Sequence, residues 1–457
     1  MRILLAAHAF FPHDKAGTET VTKFVAHHLQ DEGHEVAVIA PKVAENDGAR
    51  HAGIEIERYE GLTIYRVSVS RSGDGFALQY LNLLKNPSLD AIYRDLMKLF
   101  RPDVLHCFHL MRISGSLVEA AKDWGAKVVF TPTDFWAVCP TYQLLNWKGE
   151  ACVEHTFEDC RRCHIAEELG SEATMEDKIR AMENSFESSQ GHWRVAESVF
   201  AERERYISKL FSLFDLVVPA NDFMKQTLVA RGLISNDSPV LPFGAPSRNV
   251  NRLPARKRRS EKIIVGFCGT IRYSKGLHIL IDAISKCENG HNLEVHIYGV
   301  IHEKGYFDSL EKQFSKMPNV KFLKTFAPSR TEEILSGFDV LVIPSVWHEN
   351  TPLIAYSALA AGTPLLASET YGLKDVVQTY RGGRVFPTGD ANALAAYLTA
   401  LSSDPTLAEA WKKEIRPVAM SEGYAKGLLS LYQRASEKSK AGMTFSKRVP
   451  ENHSARI

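Results

Sequence analysis

The sequence lacks the features that mark several large classes of protein. Its 457 residues carry a formal net charge of +1, so no overall electric field attracts nucleic acid. No apolar run is long enough to span a membrane, and neither a P-loop nor a G-x-G-x-x-G fingerprint is present. These absences disfavour nucleic-acid binding, P-loop nucleotide hydrolysis and hydride transfer from a dinucleotide.

The amino-terminal segment "MRILLAAHAFFPHDK" contains only a short apolar run, and Pro12 and a charged turn follow it. A secretory signal has a longer apolar stretch that ends in small residues. We therefore predict a buried first strand and a cytoplasmic protein, with contact at the inner face of the membrane as the alternative.

What is present is the composition of a globular protein, with 45% hydrophobic and 24% charged residues and enough length for two domains. Strand and helix patterns alternate twice along the chain, which predicts an α/β fold with two Rossmann-like, doubly wound parallel-sheet domains facing across a cleft. The predicted divisions are an amino-terminal domain (1–245), a polar linker (246–261), a second domain (262–420), a helix that packs back on the first domain (421–436) and a disordered tail (437–457).

The stretch "PSVWHENTPLIAYSALAAGTP" predicts a helix that starts at the carboxyl end of a strand. Thr351 is a suitable N-cap, Pro352 suits the first helical position and Gly362 suits the stop. Free N–H groups at such a helix start attract an anion. Glu349 lies just before the cap, where it either contacts sugar hydroxyls or a developing cation, or only helps to cap the helix.

Two further turns are candidate phosphate sites. In "FCGTIRYSKG", Gly269 permits a tight turn, and Arg272 and Lys275 flank the next helix start, an arrangement that suits a diphosphate. In "FFPHDKAGTE", Gly17 directly precedes a helix and can receive a phosphate or a sugar; an ordinary strand-to-helix turn is the alternative.

Four of the seven cysteines lie close together in an insertion at about residues 139–165. Cys139, Cys152, Cys160 and Cys163 include one Cys-x-x-Cys pair, so they are candidate ligands of a structural zinc ion, although their spacing is not that of a standard zinc finger. Free thiols are the main alternative, and disulfides are not expected in the cytosol.

Together these stretches resemble the retaining glycosyltransferases of family four, which have the GT-B architecture and use nucleotide-sugar donors. The resemblance covers roughly residues 1 to 430, and "GTIRYSKG" resembles the family's Gly-Arg-Leu-x-x-x-Lys-Gly, with Lys275 at the diphosphate-binding lysine and Thr270 in place of the arginine. The most specific match to the family pattern is made by Pro344, Ser345, Glu349, Pro352, Gly362 and Pro364.

The resemblance implies a metal-independent, hexosyltransferase-type enzyme with the donor on the second domain and a saccharide or lipid-linked acceptor on the first. It implies no catalytic cofactor, which agrees with the absence of any Asp-x-Asp pair. Carried over from the family, Glu349, Lys275 and His109 are the expected catalytic residues. The expected donor-binding residues are Gly17, Gly269, Thr270, Arg272, Lys275, Asn350, Thr351, Pro352, Leu353 and Ser357.

The chain departs from the family pattern at four places, of which Thr270 is given above and Thr133, in place of a histidine before Asp134, is another. Ser357 stands where the family has a glutamate that binds the ribose, and Phe108 stands at the second position of a usual His-x-His, which displaces His109 by one residue. His109 either contacts the donor sugar or the acceptor, or is a satisfied histidine at the domain surface. Ser357 and Thr270 leave open the alternative of a catalytically weakened GT-B protein that binds a sugar nucleotide or serves as a partner subunit. A GT-B nucleotide-sugar epimerase is a second, less favoured alternative.

A helix predicted at 198–215 has an apolar and aromatic face. A core helix is the favoured interpretation, and a membrane contact is the alternative.

Overall fold

The computed structural model describes residues 1–42, 53–68, 84–152, 156–169, 175–187, 197–246 and 262–446. Most of the predicted linker lies outside the described residues. The strands are β1 (Arg2–Ala6), β2 (Glu35–Pro41), β3 (Gly53–Tyr59), β4 (Leu62–Ser68), β5 (Val104–Cys107), β6 (Lys127–Phe130), β7 (Leu216–Val217), β8 (Ile263–Cys268), β9 (Leu293–Tyr298), β10 (Val320–Phe322), β11 (Val340–Ile343), β12 (Leu365–Ser368) and β13 (Gly383–Phe386).

The helices connect and cover these strands. They are α1 (Gly17–Asp31), α2 (Asp90–Phe100), α3 (Ser116–Trp124), α4 (Phe157–Leu169), α5 (Met175–Glu187), α6 (Glu197–Phe211), α7 (Asp222–Ala230), α8 (Leu277–Lys286), α9 (Lys304–Phe314), α10 (Thr331–Leu335), α11 (Leu353–Ala360), α12 (Tyr371–Tyr380), α13 (Ala391–Ser403), α14 (Thr406–Glu414) and α15 (Ser421–Ser446). Short 3₁₀ turns cover Pro87–Leu89, Tyr273–Lys275, Gly290–Asn292 and Pro328–Arg330.

The strands form two separate sheets, with orders β3-β4-β2-β1-β5-β6-β7 and β10-β9-β8-β11-β12-β13. The central strands are continuous apolar runs buried on both faces, as expected for parallel sheets covered by helices. This confirms the predicted α/β fold of two parallel-sheet domains.

One edge strand departs from the parallel prediction. β3 pairs antiparallel with β4 through a two-residue turn at Glu60 and Gly61, whose φ angles are 46° and 80°. Two positive φ angles are typical of the hairpin turn whose twist matches the flanking strands. No strand was predicted at 53–59, so this hairpin is a feature that the structure adds.

The last helix returns to the first domain. Tyr424, Leu428 and Tyr432 of α15 are buried in the same apolar cluster as Ile3 and Leu5 of β1. α15 therefore ties the carboxyl end of the second domain to the first sheet. It also runs on to Ser446, past the point at 437 where the sequence predicts a disordered tail.

Helix α6 packs one face against the core of the first domain, while its charged face is exposed. Phe200, Ile207, Leu210 and Phe211 are buried, and the buried Arg203 guanidinium donates a hydrogen bond to the Trp136 carbonyl. These contacts agree with the core-helix interpretation. Within the described part of the chain, no helix combines the length and apolarity needed to cross a bilayer.

Candidate active site

The predicted donor residues lie at the carboxyl edge of the second sheet. Strands β8, β11 and β12 are neighbours there, and the loops that follow them carry Lys275, Glu349 and Thr370. Crevices at this edge of an open parallel sheet are the usual ligand sites of such folds.

Glu349 is at the centre of this edge and is buried, with 6% of its surface exposed. Its Oε1 atom accepts hydrogen bonds from Lys275 Nζ at 2.7 Å, Ser345 Oγ at 2.8 Å and Trp347 Nε1 at 2.9 Å. Burial by itself would raise the pKa of Glu349, but the charge and hydrogen bond of Lys275, with the other two donors, lower it below its usual value. The buried carboxylate is therefore held in its ionised form.

The Lys275 turn is locked against the Glu349 loop. Gly276 has a φ of +71°, and a Cβ there would lie 1.8 Å from the Pro344 carbonyl oxygen, so no side chain fits at this position. The Val346 amide also donates to the Ser274 carbonyl at 3.0 Å, and Lys275 Nζ lies 4.8 Å from the centre of the Trp347 ring. The tight turn is thus made by Gly276; Gly269, predicted to supply it, has no positive φ.

The helix that follows Glu349 starts slightly later than the sequence predicts. Pro352 is the N-cap of α11 and Leu353 its first residue, so the expected capping by Thr351 is wrong. The reason is conformational, because Pro352 has an extended ψ of 91°, which excludes it from the first helical turn. Gly362 follows the helix end with a φ of 80°, as predicted for the stop.

Several hydroxyls at this edge have no hydrogen-bond partner. The Oγ or Oγ1 atoms of Ser274, Thr351, Ser368 and Thr370 are buried and unpartnered among the described residues. Buried polar atoms are nearly always hydrogen-bonded, so a group of exceptions requires an explanation. A polar ligand seated at this edge would supply the missing partners.

The two predicted helix-start sites face each other across the domains. A Cβ at Gly17, the first residue of α1, would lie 3.9 Å from Leu353 Cδ1, at the first residue of α11. The Leu353 side chain also packs against the apolar cluster of the first domain. Both positive helix ends therefore converge on one region, where they reinforce each other toward an anion.

The remaining predicted donor-binding residues, Ser357, Thr270 and Arg272, do not take part in the Lys275–Glu349 ion pair. Ser357 Oγ donates to the Leu353 carbonyl at 2.9 Å, so its hydroxyl proton is used within α11. Thr270 is partly buried after β8, and Arg272 Nε lies 3.7 Å from Glu303 Oε1 without a hydrogen-bond partner in the described chain. Thr270 and Arg272 are thus near Lys275 along the turn, and the Lys275 amide donates to the Arg272 carbonyl at 3.0 Å.

On the first domain, His109 is buried and fully paired. Its Nε2 donates to Asp134 Oδ2 at 3.0 Å and its Nδ1 accepts from the Met111 amide at 3.0 Å, which defines the tautomer. Burial would raise the pKa of Asp134, but His109 and the Trp136 amide lower it. His109 and Asp134 follow the adjacent strands β5 and β6, so they form a hydrogen-bonded pair at the carboxyl edge of the first sheet.

The sequence analysis missed a second pair beside His109. The ring centres of His8 and His109 are 4.3 Å apart, and His8 Nε2 lies 3.7 Å from Glu19 Oε1. Both Glu19 oxygens and His8 Nδ1 are buried without hydrogen-bond partners in the described chain. Burial, which is the main cause, raises the pKa of Glu19 to about 7 and lowers that of His8 to about 3. The position of His8, just after the first strand and so at the carboxyl edge of the sheet, was the sequence signal that could have identified this pair.

Asn350, predicted to bind the donor, contacts the other domain instead. Its Nδ2 donates to the Pro132 carbonyl at 2.9 Å, and its Oδ1 accepts from Asn221 Nδ2 at 3.0 Å. Both ends of the amide are therefore occupied. Sequence spacing places Asn350 beside Glu349 but does not reveal which surface its side chain meets.

The four cysteines of the insertion lie close enough for their charges to interact. Burial, then the neighbouring thiols, raises the pKa of Cys160 and of Cys163 to about 12, and raises that of Cys152. However, in the ranges that the structure describes, no group of three or more His, Cys, Asp or Glu side chains is placed to hold a metal ion. The zinc site therefore stays a prediction from the spacing of the cysteines.

The insertion nevertheless reaches the second domain. Gly149, in its turn, lies against Tyr273, because a Cβ at Gly149 would be 3.1 Å from Tyr273 Cε1. Tyr273 precedes Lys275 by two residues. The insertion therefore contacts the second domain at the turn that carries Lys275.

Two facing parallel-sheet domains with a charged crevice at their carboxyl edges define a GT-B-type architecture. A family model of glycosyl transferases group 1 matches residues 251–417, and a model of the glycosyl transferase 4-like domain matches residues 16–162. Together these matches cover more than half of the sequence. The chain therefore belongs to the family-four-like glycosyltransferases of GT-B fold.

Individual relatives are distant. The uncharacterized glycosyltransferase MJ1607 of Methanocaldococcus jannaschii is 34% identical over 118 residues, which are 26% of this chain and 30% of that protein. The amylovoran biosynthesis glycosyltransferase AmsK of Erwinia amylovora is 27% identical over 220 residues, 45% of this chain and 51% of AmsK. The alignments thus span about half or less of these relatives.

A solved structure is similar over nearly the whole length. HepE of Anabaena, determined in complex with UDP, has a TM-score of 0.60 at 14% identity and covers 96% of this chain and all of HepE (100%). At this identity the likeness supports the fold alone.

Proposed function

We propose that this protein is a retaining glycosyltransferase that moves a hexose from a nucleotide-diphosphate sugar to a hydroxyl acceptor. The observation that carries the proposal is the carboxyl edge of the second sheet, where a lysine, an ionised carboxylate, a helix start and four unpartnered hydroxyls surround one region. The UDP in the HepE structure supports a nucleotide donor.

The donor diphosphate needs positive charge, which Lys275 and the N-terminus of α11 supply. Lys275 is paired with Glu349, so its charge is held at the edge of the site. A bound diphosphate would accept a hydrogen bond from the Lys275 ammonium, which would also remain paired with the Glu349 carboxylate. This pre-placed charge supports a site that works without a catalytic metal ion.

Glu349 faces the sugar side of the site in this proposal. As the bond between the anomeric carbon and the diphosphate oxygen breaks, positive charge develops on the sugar ring, and the ionised carboxylate stabilises it. The acceptor oxygen then bonds to the anomeric carbon on the face that the diphosphate leaves. The acceptor proton passes to a diphosphate oxygen, which balances the reaction and retains the configuration.

The acceptor lies on the first domain in this proposal, near the His109–Asp134 pair and the His8–Glu19 pair. The name of AmsK supports a polysaccharide-assembly role, and a saccharide or lipid-linked acceptor is the proposed class. Contact with the membrane surface would accompany a lipid-linked acceptor.

The weakened-protein alternative has one specific observation in its favour, namely that the Ser357 hydroxyl is used inside its own helix. Thermal-shift measurements against a panel of nucleotide sugars, followed by assays of donor hydrolysis and transfer, separate the two functions. We expect one donor to stabilise the protein and to be hydrolysed or transferred. Stabilisation without any hydrolysis or transfer would support the weakened protein.

A further inference from the structure

The Glu349 loop is fastened to the first domain by its neighbour Asn350. The amide of Asn350 is 7% exposed and bridges two residues of the first domain, Pro132 and Asn221. Asn221 Nδ2 also donates to the Asn350 main-chain carbonyl. Three hydrogen bonds between the domains thus meet at one residue of the donor-side loop.

The first-domain end of this connection is the acceptor-side loop. Pro132, which accepts from Asn350, is followed by Thr133 and Asp134. Thr133 Oγ1 donates to the Phe108 carbonyl at 3.1 Å, and Asp134 accepts from His109. Two hydrogen bonds therefore attach this loop, which follows β6, to the residues that follow β5. A shift of Asn350 relative to Pro132 would change its distance from the His109–Asp134 pair.

Aromatic packing supports the same junction. Phe223 of α7 stacks on Tyr371 of α12 with ring centres 4.1 Å apart and an interplanar angle of 4°. Next to Tyr371, Gly372 is packed so closely that a Cβ would lie 1.9 Å from the Glu349 carbonyl oxygen. The loop that carries Glu349 is thus held between α12 and the first domain.

We propose that Asn350 is a positioning residue that sets the spacing between Glu349 and the His109–Asp134 pair, and that Asn221 holds it in place. The consequence for transfer rests on the function proposed above, whereas the consequence for domain closure does not. In this arrangement the donor is bound without Asn350. The Asn350 amide fixes the position of the His109–Asp134 pair relative to Glu349 when the two domains are in contact.

Two near-isosteric variants test this role. Asn350→Asp replaces the donor to Pro132 by an oxygen that repels the carbonyl. Asn221→Asp keeps an oxygen to accept from the Met224 amide, the 2.7 Å cap of α7, while it removes the donor to Asn350. Asn319→Asp is the matched control, because Asn319 Nδ2 donates to the Gly290 carbonyl at 2.8 Å inside the second domain.

We expect both test variants to lower kcat about 100-fold, since small misplacement of reacting groups has effects of this order. The dissociation constant of UDP, the nucleotide in HepE, should stay within about twofold. The radius of gyration from small-angle X-ray scattering should increase. Asn319→Asp should match the wild type in all three measurements, and thermal unfolding confirms that each variant is folded.

An unchanged radius of gyration in both folded variants would overturn the inference, as would a loss of UDP affinity as large as the loss of kcat, because Asn350 would then be a donor ligand. If the wild type transfers no sugar, the proposed function fails. The scattering measurement still tests the positioning role in that case.

Discussion

Lys275 Nζ lies 2.7 Å from Glu349 Oε1, which joins the residue that the family resemblance assigns to the donor diphosphate with the residue that it assigns to the donor sugar. Their direct contact makes the cation and the carboxylate one ion pair, so a change in either residue alters the charge that the other one faces. This relationship gives the first two predictions.

Replacing Lys275 by methionine removes the ammonium but keeps an apolar stem against Trp347. We expect UDP and UDP-sugar affinity to fall about 10- to 100-fold, the value of a charged hydrogen bond of roughly 1.5–3 kcal/mol. Calorimetric titration checks this, with Lys286→Met, on an exposed ion pair with Asp282, as the control. Unchanged affinity in Lys275→Met would remove the diphosphate assignment.

Replacing Glu349 by glutamine keeps the shape and removes the charge. Turnover should fall about 100-fold, because one preorganised electrostatic group is lost from the transition state. Its lowered pKa means that the ionised form stabilises the fold above the usual carboxyl pKa and that this contribution disappears as the pH falls. Wild-type turnover in Glu349→Gln would contradict the proposed role.

Glu19 should make stability depend on pH in the opposite direction. Burial raises its pKa from 4.5 to about 7, so the folded protein favours the protonated form. The free energy of unfolding therefore decreases as the pH rises from 4.5 through 7. Glu19→Gln should therefore gain about 3 kcal/mol relative to the wild type between pH 4 and pH 8.

Urea unfolding at the two pH values measures this change. Exposed Glu422, whose pKa Lys426 lowers, is the control, because Glu422→Gln should show a trend of the opposite sign. A gain for Glu19→Gln that does not depend on pH would show that Glu19 is ionised in the fold.

Ser357 offers a gain-of-function test. Ser357→Glu restores the carboxylate expected at the ribose and should tighten UDP binding about 10- to 100-fold, whereas Ser357→Gln, of similar size and without charge, should tighten it less. Competition binding of UDP against the 2′,3′-dideoxy nucleotide locates the effect at the ribose. Equal gains for both nucleotides would place the carboxylate elsewhere.

Most of the fold was predictable because alternating strand and helix patterns are local properties of the chain. Continuous apolar runs such as "KIIVGFC" predicted parallel strands buried on both faces, and they were confirmed as such. The β3–β4 hairpin was missed because its turn, Glu60–Gly61, places a glutamate at positive φ. Such turns usually have Asn, Asp or Gly at that position, so the sequence contains no strong turn signal there.

Within the candidate site, the sequence located charged residues whose type itself carries chemistry, and their roles toward a donor stay predictions. Lys275 and Glu349 are charged groups at the ends of adjacent strands, so any parallel sheet with this strand order brings them together. His8 and Glu19 were missed because each looks ordinary in its own segment. Only the adjacency of β1 and β5 places His8 beside His109.

The sequence by itself determined the two alternating strand-and-helix segments and the charged residues in the loops after their strands, because hydrophobic periodicity and residue charge are local properties of the chain. The strand order, and with it the contact between Lys275 and Glu349, was decided by the tertiary structure. Only the tertiary structure decided the contacts between the domains. Asn350 was expected at the donor and instead holds the first domain, and the Ser357 hydroxyl donates to its own helix. A side chain beside a cleft can point to a ligand, to its own backbone or to the opposite wall, and packing alone selects among them.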